Sequence, residues 1–82
     1  MSKKKNYLNS LYIASIGREI RRRRHELDWS QMEAARRIGI TNIHLCNVER
    51  GKRSLSLELL CDISRCFGCS PRDLMPKEAR ER

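Results

Sequence analysis

The stretch Ser30–Lys52 most constrains the fold, because two short helical patterns there flank a single glycine. In the first pattern Ala34 and Ile38 recur at helical spacing and therefore share one face. Gly39 follows at once, and glycine suits the left-handed backbone conformation in which many helices end. Two short helices joined by a glycine turn predict a helix-turn-helix motif, at about residues 31–50.

Capping residues indicate where both helices of this motif begin. Ser30 can accept a backbone hydrogen bond at the start of the first helix, and Glu33 three residues later would complete a capping box. Thr41 can cap the second helix in the same way. The spacing of Leu45 and Val48 points both side chains inward. The opposite side of the second helix then carries Ile43, Cys46, Asn47 and Arg50.

Composition limits the size and the partners of this fold. The 82 residues allow one small domain, and helical patterns without strand alternation predict an all-α fold. Lysine and arginine number 18 against 10 aspartate and glutamate, a formal net charge of +8. This excess favours a polyanionic partner, either nucleic acid or an anionic membrane surface. Because no signal peptide is visible and no apolar run approaches about 18 residues, we expect a soluble cytoplasmic protein.

The chain divides into a domain and two flanking segments. Residues 1–10 include three successive lysines and predict a basic, disordered arm, which could also lie along DNA. The domain itself is expected at residues 11–76. Residues 77–82 read as a charged tail.

Three further helices are predicted around the motif. The first runs from about Leu11 to Leu27, with apolar residues on a single stripe. The fourth runs from about Leu57 to Phe67 and can be capped by Ser56. The fifth begins at Pro71, because proline is favoured in a first helical turn. The apolar face of the fourth helix is predicted to comprise Leu57, Leu60, Ile63, Cys66 and Phe67.

Arg21–Arg24 form the densest charge run in the chain. Four consecutive helical residues point around most of the helix, so these side chains cannot form one flat patch. We expect some of them to be solvated, some to lie near phosphate and one to turn inward. Arg24 continues the line of Ile16 and Ile20 at helical spacing, which makes it the inward candidate. A buried arginine requires a carboxylate partner.

The cysteines leave two interpretations open. Cys66 and Cys69 have the CxxC spacing of metal and redox sites, and Cys61 lies five residues upstream of Cys66. The alternative function is therefore a small zinc- or thiol-dependent regulatory or interaction module built on these three residues. Because no second CxxC exists, burial of the cysteines as small apolar side chains is favoured. We predict no metal or other cofactor, and the sequence shows no nucleophile motif of an enzyme.

An ordered set of short motifs runs through the chain. It comprises Ile16-Gly17-x-x-Ile20-Arg21-x-x-Arg24, Trp29-Ser30-Gln31-x-x-Ala34-Ala35, Gly39-Ile40-Thr41, Val48-Glu49-Arg50-Gly51-Lys52 and Ser56-Leu57-x-x-Leu60. Together these motifs resemble the Cro/repressor-type (XRE) helix-turn-helix family, over roughly residues 16–75. The resemblance implies a compact five-helix, lambda-repressor-like domain whose second and third helices bind double-stranded DNA.

The resemblance also implies roles for matching residues. The first-helix arginine, Arg24, would pair with Glu49 of the Glu-Arg-Gly motif, which supplies the carboxylate that a buried arginine needs. Gln31 would touch a DNA phosphate at the start of the second helix. The third helix, at about residues 42–50, would lie in the major groove and read base edges.

Four residues on the outward face of the third helix are candidates for base contact. Asn47 and Asn42 carry carboxamides that can bind adenine in bidentate fashion. Ile43 could pack on a thymine methyl group, with burial in the core as the alternative. His44 lies at the edge of the face, where a phosphate contact or plain solvation is as open as base contact. A basic loop follows this helix and is predicted to contact phosphates, which sets register without reading sequence. Its members are Arg50, Lys52 and Arg53.

A domain of this size offers few base contacts, so specific binding is expected to need two copies. Two-fold dimers place their third helices one DNA turn apart, about 34 Å, on a palindromic site. The candidate dimer surface is formed by Leu59, Leu74 and Met75, near the fourth and fifth helices. The predicted function is therefore a homodimeric, sequence-specific transcriptional regulator that binds double-stranded DNA.

Overall fold

The computed structural model describes the backbone of residues 2–52 and 55–77, and the side chains of residues 12–52 and 55–77. Five helices follow one another in this part of the chain, with no strand among them. They are α1 (Ser2–Glu26), α2 (Gln31–Ile38), α3 (Asn42–Glu49), α4 (Leu57–Phe67) and α5 (Pro71–Leu74). The all-α, five-helix architecture expected from the sequence is confirmed.

α1 begins at Ser2, so its first turns lie in the segment for which a basic arm is expected. The prediction rested on the scarcity of apolar surface before Leu11. The segment nevertheless contains no proline or glycine, and lysine is a good helix former, so nothing in it interrupts a helix. None of the described helices is both long and apolar enough to cross a membrane. Of the predicted tail, only Lys77 lies among the described residues.

Polar caps start α2, α3 and α4 at the positions that the sequence predicts. The hydroxyls of Ser30, Thr41 and Ser56 each accept a backbone hydrogen bond of 3.0 Å from the third residue of the helix that follows. The carboxylate of Glu33 is engaged by two arginines one turn along its own helix, at 2.7 and 2.6 Å. Gly39 ends α2 with a φ of 94°, in the left-handed region. These local signals fix the two helices of the motif and the turn between them.

The core lies where the five helices meet. Fully buried side chains come from four of them: Ile20 in α1, Leu45 in α3, Ile63 in α4 and Leu74 in α5. α2 adds Ala34, which is also fully buried. α3 packs against both α1 and α2, while α4 packs against α2 and α5. The position of α3 is therefore set by α1 and α2 together.

Trp29, the only tryptophan of the chain, packs against the edge of this core. Its ring stacks on Phe67 of α4, with ring centroids 5.6 Å apart. The Arg37 guanidinium lies 4.5 Å from the centroid of the Trp29 ring, at a distance that allows a cation–π interaction. This contact joins the turn before α2 to the end of α4.

Two leucines lie where the sequence did not place them. Leu57, which was predicted on the apolar face of α4, is 73% exposed. It is the first residue of α4, and because helical side chains lean toward the N-terminus, its side chain projects past the helix end. Leu74, which was predicted at the dimer surface, is fully buried because the short α5 packs against both α4 and α1. The other two predicted dimer residues, Leu59 and Met75, are half-buried.

α1 and α3 come into direct backbone contact at Gly17. A Cβ atom built there would lie 2.5 Å from the carbonyl oxygen of Val48 and 2.7 Å from that of Glu49. Both distances are shorter than nonbonded atoms tolerate, so the close approach requires a residue without a side chain. The end of α3 is therefore positioned by a glycine of α1.

We predict that Gly17→Ala destabilises the protein. In an exposed helix interior such a change stabilises by roughly 0.5–1 kcal/mol, but here the added methyl group must displace the backbone of α3, at a cost of about 1–3 kcal/mol. Chemical denaturation measures the difference. Arg18→Ala, at the neighbouring exposed position, is the control and should stay within about 0.5 kcal/mol of the wild type. A more stable Gly17→Ala variant would contradict the close approach.

Candidate nucleic-acid interface

α3 presents one face to the core and the other to the outside. Leu45 and Val48 are 0% and 1% exposed and anchor the helix. Ile43 is 74% exposed, so it does not serve the core. Asn42 is exposed, while His44 and Asn47 are half-buried. Of the four predicted base-contacting residues, Asn42 and Ile43 are thus fully open to the outside, whereas His44 and Asn47 are partly covered.

A buried ion pair joins α3 to α1. The Nε atom of Arg24 lies 2.6 Å from Oε2 of Glu49, and its Nη2 atom lies 3.0 Å from Oε1, a bidentate arrangement. The two residues are only 8% and 7% exposed. Nη1 of Arg24 also donates to the carbonyl oxygen of Trp29 at 3.0 Å. The contact that the resemblance implied is therefore present, and it reaches the turn before α2 as well.

Gln31 brings α2 to the same carboxylate. Its Nε2 atom donates to Oε1 of Glu49 at 3.2 Å. Glu49 therefore receives donors from α1 and α2 while it belongs to α3. The amide of Gln31 has a second N–H group, and its predicted phosphate contact stays a prediction.

A polar cleft of about 280 Å³ opens beside the ion pair, and we call it the arginine cleft. Arg21 and Arg50 are exposed members of its lining, whereas Arg24 and Glu49 are buried. Three guanidinium groups and one carboxylate give this lining an excess of positive charge. The complete lining is Arg21, Arg24, Gln31, Cys46, Glu49 and Arg50.

The basic loop continues directly from the last turn of α3. The Arg50 amide donates to the carbonyl oxygen of Cys46 at 3.1 Å, and the Lys52 amide donates to that of Asn47 at 2.9 Å. These hydrogen bonds keep both basic residues at the C-terminal end of α3, where their side chains are exposed. Arg53, the third predicted phosphate contact, lies outside the described residues.

The sequence pattern of the helix-turn-helix family HTH_3 matches residues 20–74. These residues include the end of α1 and all of α2 to α5. The chain belongs to the helix-turn-helix family. No sequence among the curated proteins matches this chain.

Solved structures of gene regulators share the helix-turn-helix fold of this chain. The restriction-modification controller protein C.AhdI from Aeromonas hydrophila is 27% identical with a TM-score of 0.72, and the match covers 76% of this chain and 94% of that one. The clp gene regulator ClgR from C. glutamicum is 26% identical with a TM-score of 0.70, covering 74% and 79%. The DNA-binding domain of the P22 C2 repressor is 29% identical with a TM-score of 0.70, covering 76% and 82%. The family and these neighbours support a DNA-binding transcriptional regulator.

The cysteines of this helix-turn-helix domain are free and half-buried. The thiol of Cys66 donates to the carbonyl oxygen of Arg37 at 3.2 Å. Burial raises the pKa of the Cys69 thiol, which leaves less of the thiolate that binds metals. Among the residues that the structure describes, no group of three His, Cys, Asp or Glu side chains is placed to hold a metal ion. Cys61, Cys66 and Cys69 therefore do not form the cluster that the zinc alternative required.

Arg21 lines the arginine cleft, although no site role was predicted for it from the sequence. Within Arg21–Arg24, solvated, phosphate-contacting and inward members were expected, and only the inward member, Arg24, was identified by position. The overlooked signal was spacing: residues three apart on a helix share a side, so Arg21 had to lie beside Arg24.

Proposed function

We propose that this helix-turn-helix protein is a transcriptional regulator that binds double-stranded DNA with α3 in the major groove. The observation that carries the proposal is the open face of α3, whose opposite side is anchored by Leu45, Val48 and the Arg24–Glu49 pair. The major groove is about 12 Å wide and admits one helix, and its base edges are read by side chains held in fixed positions. The HTH_3 match and the regulator neighbours support the same function.

Base readout is assigned to the open face of α3. The carboxamides of Asn47 and Asn42 suit adenine, which presents one donor and one acceptor in the major groove. Ile43 suits the methyl group of thymine, because an exposed apolar side chain gains by burial against it. His44, at the edge of the face, is proposed as a further contact to the DNA.

Contacts with the phosphate backbone of DNA are assigned to residues around α3. Gln31 and Arg50 lie in the arginine cleft, Lys52 is exposed at the end of α3, and Arg53 follows it in the sequence. Contacts of this kind set the register of α3 without reading sequence. The formal net charge of +8 supports binding to a polyanion.

We infer that the protein acts by binding alone, in the cytoplasm, with no catalytic role and no cofactor. Selection from random duplexes at moderate salt tests the regulator function. The expected result is an enriched motif with two half-sites about 34 Å apart or a multiple of that spacing. The absence of any enriched motif would contradict the proposal.

The protein is further proposed to bind as a homodimer. An apolar groove of about 230 Å³ includes Tyr12 and Ile13 of α1, Leu57 of α4 and Met75 after α5. A second copy would cover the exposed side chain of Leu57, which gives association an apolar driving force. Of the dimer residues expected from the sequence, Met75 and Leu59 remain candidates, whereas the buried Leu74 does not.

Asn47→Ala should relax sequence preference while leaving binding to mixed-sequence DNA nearly unchanged. Loss of a bidentate base contact removes about 1–3 kcal/mol of discrimination against the wrong base. Competition between the selected duplex and single-base variants of it measures this discrimination. The effect should be confined to one position in each half-site, and equal loss at every position would contradict base readout by Asn47.

Lys52→Ala should weaken binding to all duplexes alike, since it removes a phosphate contact. The logarithmic dependence of affinity on salt concentration should become shallower by about one for each bound copy. The control is Lys77→Ala, an equal charge change at an exposed position beyond α5. A salt dependence that shifts equally in both variants would show that net charge, rather than contact, is responsible.

Leu57→Lys should shift the protein from dimer to monomer without unfolding it, because Leu57 is already 73% exposed in the single chain. Sedimentation equilibrium measures the dissociation constant, which should rise at least tenfold. The matched control is Met32→Lys, the same kind of change at a 68% exposed position on α2. Dimers that are unaffected by Leu57→Lys would place the dimer surface elsewhere.

A further inference from the structure

Two arginines at the end of α1 are neutralised on their own helix. Arg22 binds Glu19 and Glu26, each at 2.6 Å. Arg23 binds Glu19 at 2.9 Å. The hydrogen bond from Arg22 is the main cause that lowers the pKa of Glu19, so this carboxylate stays charged to a lower pH than usual. Exposed pairs of this kind add little stability, but they occupy both guanidinium groups.

Arg21 differs from these neighbours, although it belongs to the same run. It is exposed, and no carboxylate among the described side chains lies within ion-pairing distance of its guanidinium. Arg50, the other exposed arginine of the arginine cleft, has no such partner among the described side chains either. The one carboxylate of the cleft, that of Glu49, is engaged by Arg24 and Gln31. The cleft therefore holds two positive charges that no described acidic group offsets.

We propose that the arginine cleft binds one phosphate group of the DNA backbone, with Arg21 and Arg50 as its ligands. This inference rests on the proposed function and extends the DNA contact from the helix-turn-helix motif onto α1. Guanidinium groups bind phosphate oxygens through two parallel N–H donors, which fixes direction as well as distance. The second amide hydrogen of Gln31 supplies a neutral donor in the same cleft.

A phosphate at this position fixes how α3 sits in the groove. Arg50 caps the C-terminal end of α3, and Arg21 lies on α1, which the buried ion pair ties to α3. The two ligands are therefore carried by elements with a fixed relative position. Arg21 acts as a positioning residue, because it contacts the backbone and leaves base readout to the open face of α3.

Salt titrations on one short duplex of mixed sequence test the inference, because phosphate contacts do not depend on base sequence. Arg21→Gln should lower affinity roughly three- to tenfold near 0.1 M salt and reduce the salt slope by about 0.9 per bound copy. Arg22→Gln is the matched control, since it removes the same charge from the next residue, which Glu19 and Glu26 already engage. Arg21→Lys should keep the salt slope. Both positions are on the surface, so the thermal unfolding of all three variants should be unchanged.

Cys46 provides a second readout, because its half-buried thiol is part of the cleft lining. The duplex should slow alkylation of Cys46 by iodoacetamide several-fold, as read by mass spectrometry, while Cys61 and Cys66 on α4 serve as internal controls. At one subsaturating duplex concentration, Arg21→Gln should reduce this protection in proportion to its lower affinity. A parallel sample with inorganic phosphate in place of DNA distinguishes the two sources of the anion.

Equal salt slopes for Arg21→Gln and Arg22→Gln would overturn the inference while leaving the proposed function in place. Protection of Cys46 by inorganic phosphate but not by the duplex would also overturn it, because the cleft would then bind a free anion. A wild-type protein that binds no duplex would instead remove the proposed function, and this inference with it.

Discussion

The buried pair of Arg24 and Glu49 is the interaction on which the position of α3 depends. Glu49 belongs to α3 and receives donors from Arg24 of α1 and Gln31 of α2, so three helices meet at one carboxylate. Beside it, Gly17 allows the backbone of α1 to touch the last carbonyl groups of α3. Loss of either charged partner would leave an unpaired charge in a buried site, which typically costs about 3–5 kcal/mol. A substitution at Arg24 or Glu49 is therefore expected to disturb the relative positions of α1, α2 and α3.

The same pair determines which charges remain for a partner. Because the carboxylate of Glu49 is satisfied internally, it does not neutralise the exposed arginines beside it. Arg22 and Arg23 are engaged by acids of α1, while Arg21 and Arg50 keep their charges for the solvent side. Inward anchoring by Leu45 and Val48 likewise leaves the outer face of α3 to polar residues and one exposed isoleucine. The inward side chains of α3 thus stabilise the fold, while its outward side chains and the exposed arginines form a surface suited to nucleic acid.

Local chemistry explains what the sequence could predict. Ser30, Thr41 and Ser56 cap their helices through contacts within three residues, so chain order alone locates these helix starts. The face of α3 follows from spacing in the same way. The partner of Arg24 came from family resemblance, since residues 25 positions apart are not linked by periodicity. Predictions failed where burial depends on which neighbours cover a helix end: Leu57 projects past the start of α4, and Leu74 is enclosed by α1 and α4. The proposed phosphate contact of Arg21 depends on which arginines of the run are paired with acidic side chains. That pairing is a matter of three-dimensional placement, which chain order does not specify.

A double-mutant cycle between Arg24 and Glu49 tests most directly whether this pair holds α3 against α1. Unfolding free energies would be measured for Arg24→Met, Glu49→Leu and the double variant. Each single variant leaves an unpaired buried charge, whereas the double variant removes both charges and can pack as an apolar contact. We therefore expect the double variant to be more stable than the sum of the single losses predicts, with a coupling energy of about 2 kcal/mol or more. Additive losses, within about 0.5 kcal/mol, would contradict the central role of the pair.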